Sequence, residues 1–111
     1  MDKTIRRSRA EGSVTAPSSK SYAQRAVAAA LLCEGTSTLT NMILCDDTRA
    51  ALQVAADLGA EVEAGTDGTT YTVRGGLRPH AQAIHIGESG LAARLFTPIA
   101  ALCGERLTIT G

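Results

Sequence analysis

The segment Ser19-Lys20-Ser21-Tyr22-Ala23-Gln24-Arg25 places two cations and two serine hydroxyls directly ahead of the apolar run Ala26 to Cys33. In a helix, Ser21 and Arg25 are four residues apart and share a face. Cations at a helix N-terminus oppose the macrodipole, which favours negative charge there, so stability does not explain this crowding of Lys20, Ser21, Gln24 and Arg25. An anion does: free backbone N–H groups, hydroxyls, an ammonium and a guanidinium form a receptor for phosphate or carboxylate. The plainer alternative is a serine-capped core helix whose Lys20 and Arg25 snorkel to water. A second cluster, Gly87-Glu88-Ser89-Gly90-Leu91-Ala92-Ala93-Arg94, is a Gly/Ser turn with an arginine; it lacks the Gly-Lys-Ser/Thr ending of a P-loop and is a weak signal alone. Between the two lies Asp46-Asp47-Thr48. Asp47 is either a first-turn helix acid or a carboxylate that orients Lys20 or a substrate hydroxyl.

These groups need elements to hold them. Pro17 disfavours helix at Ala16, and Ser18 or Ser19 supplies an N-cap, so the first helix starts there and ends near Glu34-Gly35. From Ala26 to Cys33 it is apolar all round, which predicts burial on every side. Thr36 to Asn41 reads as a strand, and a second helix runs from Asp46 to about Leu58, with Ala51, Leu52, Ala55 and Leu58 on one face and Gly59 closing it. Glu61 to Ala64 and Tyr71 to Arg74 alternate around an Asp67-Gly68 turn and predict a hairpin. A weak strand at Ile84-His85-Ile86 leads to the Gly/Ser turn. The apolar run Leu95 to Cys103 follows as a helix that Pro98 should kink or open, and Leu107 to Thr110 as a strand. Polar turn, arginine, apolar helix, Leu-Cys, Gly and Thr-rich strand therefore occur twice, as an internal repeat, and the two helix starts can converge on one doubly anionic ligand. Gly12 to Ala16 is expected as an edge strand kept from aggregating by Lys3, Arg6, Arg7 and Arg9.

A chain of 111 residues is one domain's worth, and eleven basic residues balance eleven acidic ones, so no global field points to nucleic acid or membrane. Aromatics are only 3% of the residues, too few to stack bases, which disfavours single-stranded nucleic acid as a ligand. Cys33, Cys45 and Cys103 have no metal-ligand spacing and read as reduced core thiols; His80 and His85 read as loop or edge residues rather than ligands. No apolar leader or spanning segment is evident, which makes a cytoplasmic setting the expectation.

Taken together, Ser19-Lys20-Ser21 with Arg25, then Gly35, Leu39 and Asn41, Asp46-Asp47-Thr48, Leu58-Gly59-Ala60 and the turn Gly87 to Arg94 before Leu107 to Gly111 resemble the N-terminal portion of the EPSP synthases, 3-phosphoshikimate 1-carboxyvinyltransferases. The resemblance covers nearly all of residues 12–111. It implies an α/β fold of βαβαββ units with helices inside and sheet outside: a first unit at about 12–76 and the start of a second at about 82–111, together a single partial domain. It also implies a metal-free and cofactor-free transfer of the enolpyruvyl group of phosphoenolpyruvate to the 5-hydroxyl of shikimate 3-phosphate. On this resemblance Lys20 would contact both substrates at the reacting centre, Ser21 would bind the shikimate phosphate side, and Arg25 would hold the shikimate carboxylate. Gly90 would let its backbone approach phosphoenolpyruvate, Asp47 matches an acid near the lysine, and Arg94 matches the motif's arginine. Glu88 and Leu91 stand where the commonest family turn has Asn and Thr, departures that bear on phosphoenolpyruvate and glyphosate affinity. Family members are several times longer, so the expectation is an N-terminal fragment of a monomeric enzyme, exposing apolar helix surface, prone to self-association and inactive by itself. Two alternatives remain: a UDP-N-acetylglucosamine enolpyruvyl transferase, whose family has Lys-Asn at the first turn, and a non-catalytic anion-binding module.

Overall fold

A computed structural model describes residues 1–111, and regular structure begins at Lys20. Helix α1 (Lys20–Leu32) leads to strand β1 (Thr36–Leu39), helix α2 (Asp46–Asp57) and the hairpin β2 (Glu61–Ala64) and β3 (Tyr71–Arg74). Strand β4 (Ala83–His85), helix α3 (Gly90–Ala101) and strand β5 (Thr108–Thr110) follow. β3 is the central strand of a three-stranded antiparallel sheet in the order β1-β3-β2, while β4 and β5 pair in parallel around α3. The mixed α/β class is as expected.

Each start and stop has a local cause. Ser19 caps α1 by accepting from the Tyr22 N–H at 3.4 Å, and Ser89 caps α3 by accepting from the Ala92 N–H at 3.2 Å. α2 places Asp46 and Asp47 in its first turn and ends at Leu58, followed by Gly59 at φ +121°, a conformation that only glycine adopts without strain. In the hairpin, Asp67 folds the turn by accepting from the Thr69 and Thr70 N–H groups at 2.9 and 2.8 Å and from the Thr70 hydroxyl at 2.7 Å. Glu61 then faces Arg74, and Val62 faces Val73.

The helices pack on one another and on one face of the sheet. Val27, Leu31, Val54, Leu58, Val73 and Phe96 are fully buried between them. At roughly 1.5–3 kcal/mol for each such side chain, these contacts outweigh any one polar link and fix the helix layer. The far end of α1 rests on backbone: the Gly76 N–H donates to the Leu31 carbonyl at 2.8 Å, the Gly75 N–H to the Gly35 carbonyl at 3.0 Å, and a Cβ at position 75 would overlap the Ala30 and Cys33 carbonyl oxygens.

Several expectations are corrected. Residues 12–16 form no strand, so the first β of the expected βαβαββ unit is missing; Val14 is 96% exposed and has no neighbour to bury it. α1 is not buried all round: Tyr22, Arg25, Ala29, Leu32 and Cys33 make an exposed stripe, because α2, α3 and the sheet cover only its other faces. α1 stops at Leu32, with Cys33 turning to extended backbone, rather than at a left-handed Gly35. The second Gly/Ser turn ends at Ser89, which puts Arg94 inside α3, and α3 runs without interruption through Pro98. The cysteines are free, and only Cys103 packs against the core, half-buried; Cys33 is exposed, and Cys45 is half-buried ahead of α2.

Candidate functional site

Three helix starts meet at one end of the layer, and α1 joins both of the others. Lys20 Nζ lies 2.9 Å from Asp47 Oδ2 at the first turn of α2. One turn further along α1, Gln24 Oε1 accepts from the Ser89 hydroxyl at 2.9 Å, and Ser89 is the cap of α3. Ser18 Oγ accepts from the Ile43 N–H at 3.1 Å, drawing the loop ahead of α2 against the start of α1. The positive ends of three helix dipoles therefore share a rim.

Lys20 is the most developed group there. Its side chain is 65% exposed and that of Asp47 is 23% exposed, so the pair is open to solvent on the lysine's side. The Asp47 hydrogen bond, and then the Asp47 charge, hold the Lys20 pKa above its ordinary 10.5. At neutral pH Lys20 is consequently an ammonium, suited to stabilising negative charge and unsuited to removing a proton. Asp47 is thus a first-turn acid of α2 that also pairs with Lys20.

Ser21 is half-buried, and Arg25, one turn further on, is exposed and forms no ion pair. Gly90 opens α3. The Ser89 cap takes the Ala92 N–H, and Ala93 donates to the Ser89 carbonyl at 3.0 Å, so the N–H groups of Gly90 and Leu91 remain the unspent donors of that end. Arg94 reaches back one turn, Nη1 donating to the Gly90 carbonyl at 2.9 Å. A Cβ on Gly90 would sit 3.1 Å from that same Nη1, tighter than an ordinary contact. Arg94 therefore ties the turn through Nη1 while the rest of its exposed guanidinium stays open to solvent.

A concavity of about 420 Å³ lies beside this rim, between the Tyr22 and Ala26 side of α1 and residues 38–42; Ser19, Leu39 and Asn41 line it, and none of the six residues Lys20, Ser21, Arg25, Asp47, Gly90 and Arg94 does. Of those six, the structure pairs Lys20 with Asp47 and Arg94 with the Gly90 carbonyl, and it leaves the Ser21 and Arg25 side chains on α1 without a partner.

Sequence reasoning missed three residues. Gln24 is 1% exposed and Ser89 6%, whereas in the sequence each stands out only as a member of a polar cluster. The spacing held the signal, since Gln24 shares its stripe with Val27, Ala28 and Leu31, where a polar residue requires a partner. Cys45 is the third. It caps α2: its N–H donates to Thr48 Oγ1 at 2.8 Å, its Sγ accepts from that hydroxyl at 3.6 Å, and the Thr48 backbone and hydroxyl bonds lower its thiol pKa from 9.0. His85, exposed on β4, accepts from the Gly87 N–H through Nδ1 at 3.0 Å and supports the turn before α3.

The comparisons with known proteins agree with one another. The sequence model of EPSP synthase (3-phosphoshikimate 1-carboxyvinyltransferase) matches residues 5–111. The chain is 37% identical over 112 residues to the 3-phosphoshikimate 1-carboxyvinyltransferase of Methanothermobacter thermautotrophicus, an alignment covering 100% of the chain and 27% of that protein. It is 41% identical over 101 residues to the Chlamydia caviae protein of the same name, covering 90% of the chain and 23% of the relative. Among solved structures, an EPSP synthase from Acinetobacter baumannii superposes with a TM-score of 0.67 at 32% identity, over 78% of the chain and 20% of that structure. The chain thus spans about a quarter of the length of the curated relatives it matches.

Proposed function

This chain belongs to the EPSP synthase family and has the α/β fold of that family, and from that premise we propose that its rim binds the two anionic substrates of the family's reaction, in which the enolpyruvyl group of phosphoenolpyruvate passes to the 5-hydroxyl of shikimate 3-phosphate. The observation that carries the proposal is the Lys20 ammonium, held 2.9 Å from Asp47 where three helices begin. In this reading Lys20 stands between the substrates and answers the charge that develops as the phosphate-bearing and carboxylate-bearing adduct forms. Ser21 and Arg25, one turn apart on a single face, take the phosphate side and the carboxylate of shikimate 3-phosphate. The unspent N–H groups of Gly90 and Leu91 meet the phosphate of phosphoenolpyruvate, with Arg94 bracing their turn. The unit boundaries at about 12–76 and 82–111, a cytoplasmic setting, and self-association through the exposed α1 stripe belong to the same proposal.

The test is calorimetry on the chain with shikimate 3-phosphate. Binding that weakens 10- to 100-fold in Arg25→Ala, as the loss of a charge-assisted contact demands, supports the reading. Indifference of both proteins to the ligand would sink it.

A further inference from the structure

α1 is an apolar helix wherever it faces α3, with one exception: Gln24 stands among Ala23, Val27 and Ala28 at 1% exposure. A buried amide in such surroundings is retained only with a partner, and losing that partner leaves an unsatisfied polar group. Its partner is specific. Ser89 comes 65 residues later, is itself buried, and uses one hydroxyl for two tasks: the oxygen accepts from the Ala92 N–H to start α3, and the proton goes to Gln24 Oε1. The group that decides where α3 begins is therefore also the group that decides where α3 sits against α1. Apolar packing alone tolerates sliding between two Ala-rich surfaces, whereas a directional bond of 2.9 Å does not.

We infer that Gln24 is a positioning residue, whose clasp on Ser89 sets the Gly90 turn in register with the Lys20 end of α1 and so holds the phosphoenolpyruvate subsite at a fixed offset from the shikimate 3-phosphate subsite. The inference rests on the reading of Gly90 given under Proposed function. It assigns no substrate contact to Gln24. Displacing the Gly90 and Leu91 donors weakens phosphoenolpyruvate binding, while Lys20, Ser21 and Arg25 stay on their own helix and keep their ligand. A misplacement of this kind far from the reacting atoms is sufficient to impair a preorganised site.

The experiment compares the chain with Gln24→Met, Ser89→Ala and Ser89→Thr. Gln24→Met removes the acceptor, keeps the volume and leaves the Ser89 cap intact; Ser89→Thr keeps both bonds. Calorimetry should show phosphoenolpyruvate affinity reduced about 5- to 10-fold in Gln24→Met and Ser89→Ala and restored to within about twofold in Ser89→Thr, with shikimate 3-phosphate affinity unchanged throughout. Without ligand, exchange of the Ala92 and Ala93 amides, which donate to Ser89, should accelerate in Gln24→Met while that of the Arg49 amide, which donates to the Cys45 carbonyl, stays constant. Equal loss of both affinities, or unchanged exchange at Ala92 and Ala93, would overturn the inference and make Gln24 a packing residue only. A parent chain that binds neither substrate while its Ala92 and Ala93 exchange still depends on Gln24 would instead refute the subsite reading and leave the clasp standing. Should Gln24→Met fail to fold, Ser89→Ala against Ser89→Thr decides the matter.

Discussion

The beginning of α1 is joined to its neighbours by two contacts of opposite kinds. Lys20 to Asp47 is a charged pair with the lysine 65% exposed, and Gln24 to Ser89 is a neutral hydrogen bond between residues 1% and 6% exposed. Water and salt screen the first, so breaking it changes stability little and an arriving anion can compete with Asp47 for the ammonium. The second is shielded, and either partner left alone is an unsatisfied buried group. The two contacts thus differ in kind: one is open to exchange with water, salt or an anion, and the other, shielded, ties two helix ends together.

The contrast can be broken in order of effect. Gln24→Ala, which deletes volume as well as the acceptor, should lower stability by about 2–4 kcal/mol in chemical denaturation. A loss below about 1 kcal/mol would mean that the buried junction holds nothing. Lys20→Met should reverse the pattern, weakening shikimate 3-phosphate binding about 10- to 100-fold while moving the melting temperature by no more than about 4 °C. A large fall in melting temperature would make the exposed pair structural after all.

Titration sharpens the same contrast. Because the folded pKa of Lys20 is raised, the stabilisation from its pair is fully present below the unfolded value near 10.5 and is lost as pH climbs through the higher folded value. NMR of the Lys20 side chain should show a midpoint above 10.5, returning to the ordinary range in Asp47→Asn. Gln24 and Ser89 carry no titrating group, so amides near Ser89 should be indifferent over that window. The smallest effect belongs to a site remote from both junctions. The Thr70 hydroxyl and the Thr69 and Thr70 N–H groups hold Asp67 down at about 2, so its turn should keep its stability above pH ~4 and lose it as pH falls towards 2. The Thr69 and Thr70 amide shifts would report the midpoint; one near 4 would show that the turn's bonds are not formed.

Local chemistry was what the sequence made legible. The serine cap of α1, the acidic start of α2, Gly59 and the Asp67-Gly68 hairpin each need only neighbours within a few residues, and all four stand as expected. The Lys20 and Asp47 partnership was visible as one of two readings because both side chains sit at predicted helix starts. What stayed hidden depends on pieces distant in the chain. Whether residues 12–16 find a sheet edge, which face of α1 is left uncovered, and that Gln24 meets Ser89 across 65 residues are matters of packing that no local pattern encodes. The cysteines illustrate the same limit: apolar neighbours in sequence suggested burial, but Cys33 falls on the open stripe and Cys45 on a helix cap.

Gly75 carries a mechanical consequence. The last turn of α1 bears directly on the main chain at that residue, with no room for even a methyl group. Lys20 lies at the opposite end, about 18 Å away along a rod rising 1.5 Å per residue. Position 75 therefore acts as a stop for the rod: a side chain there would have to displace the last turn of α1, and any shift of that rigid helix would be carried to the ammonium at its other end.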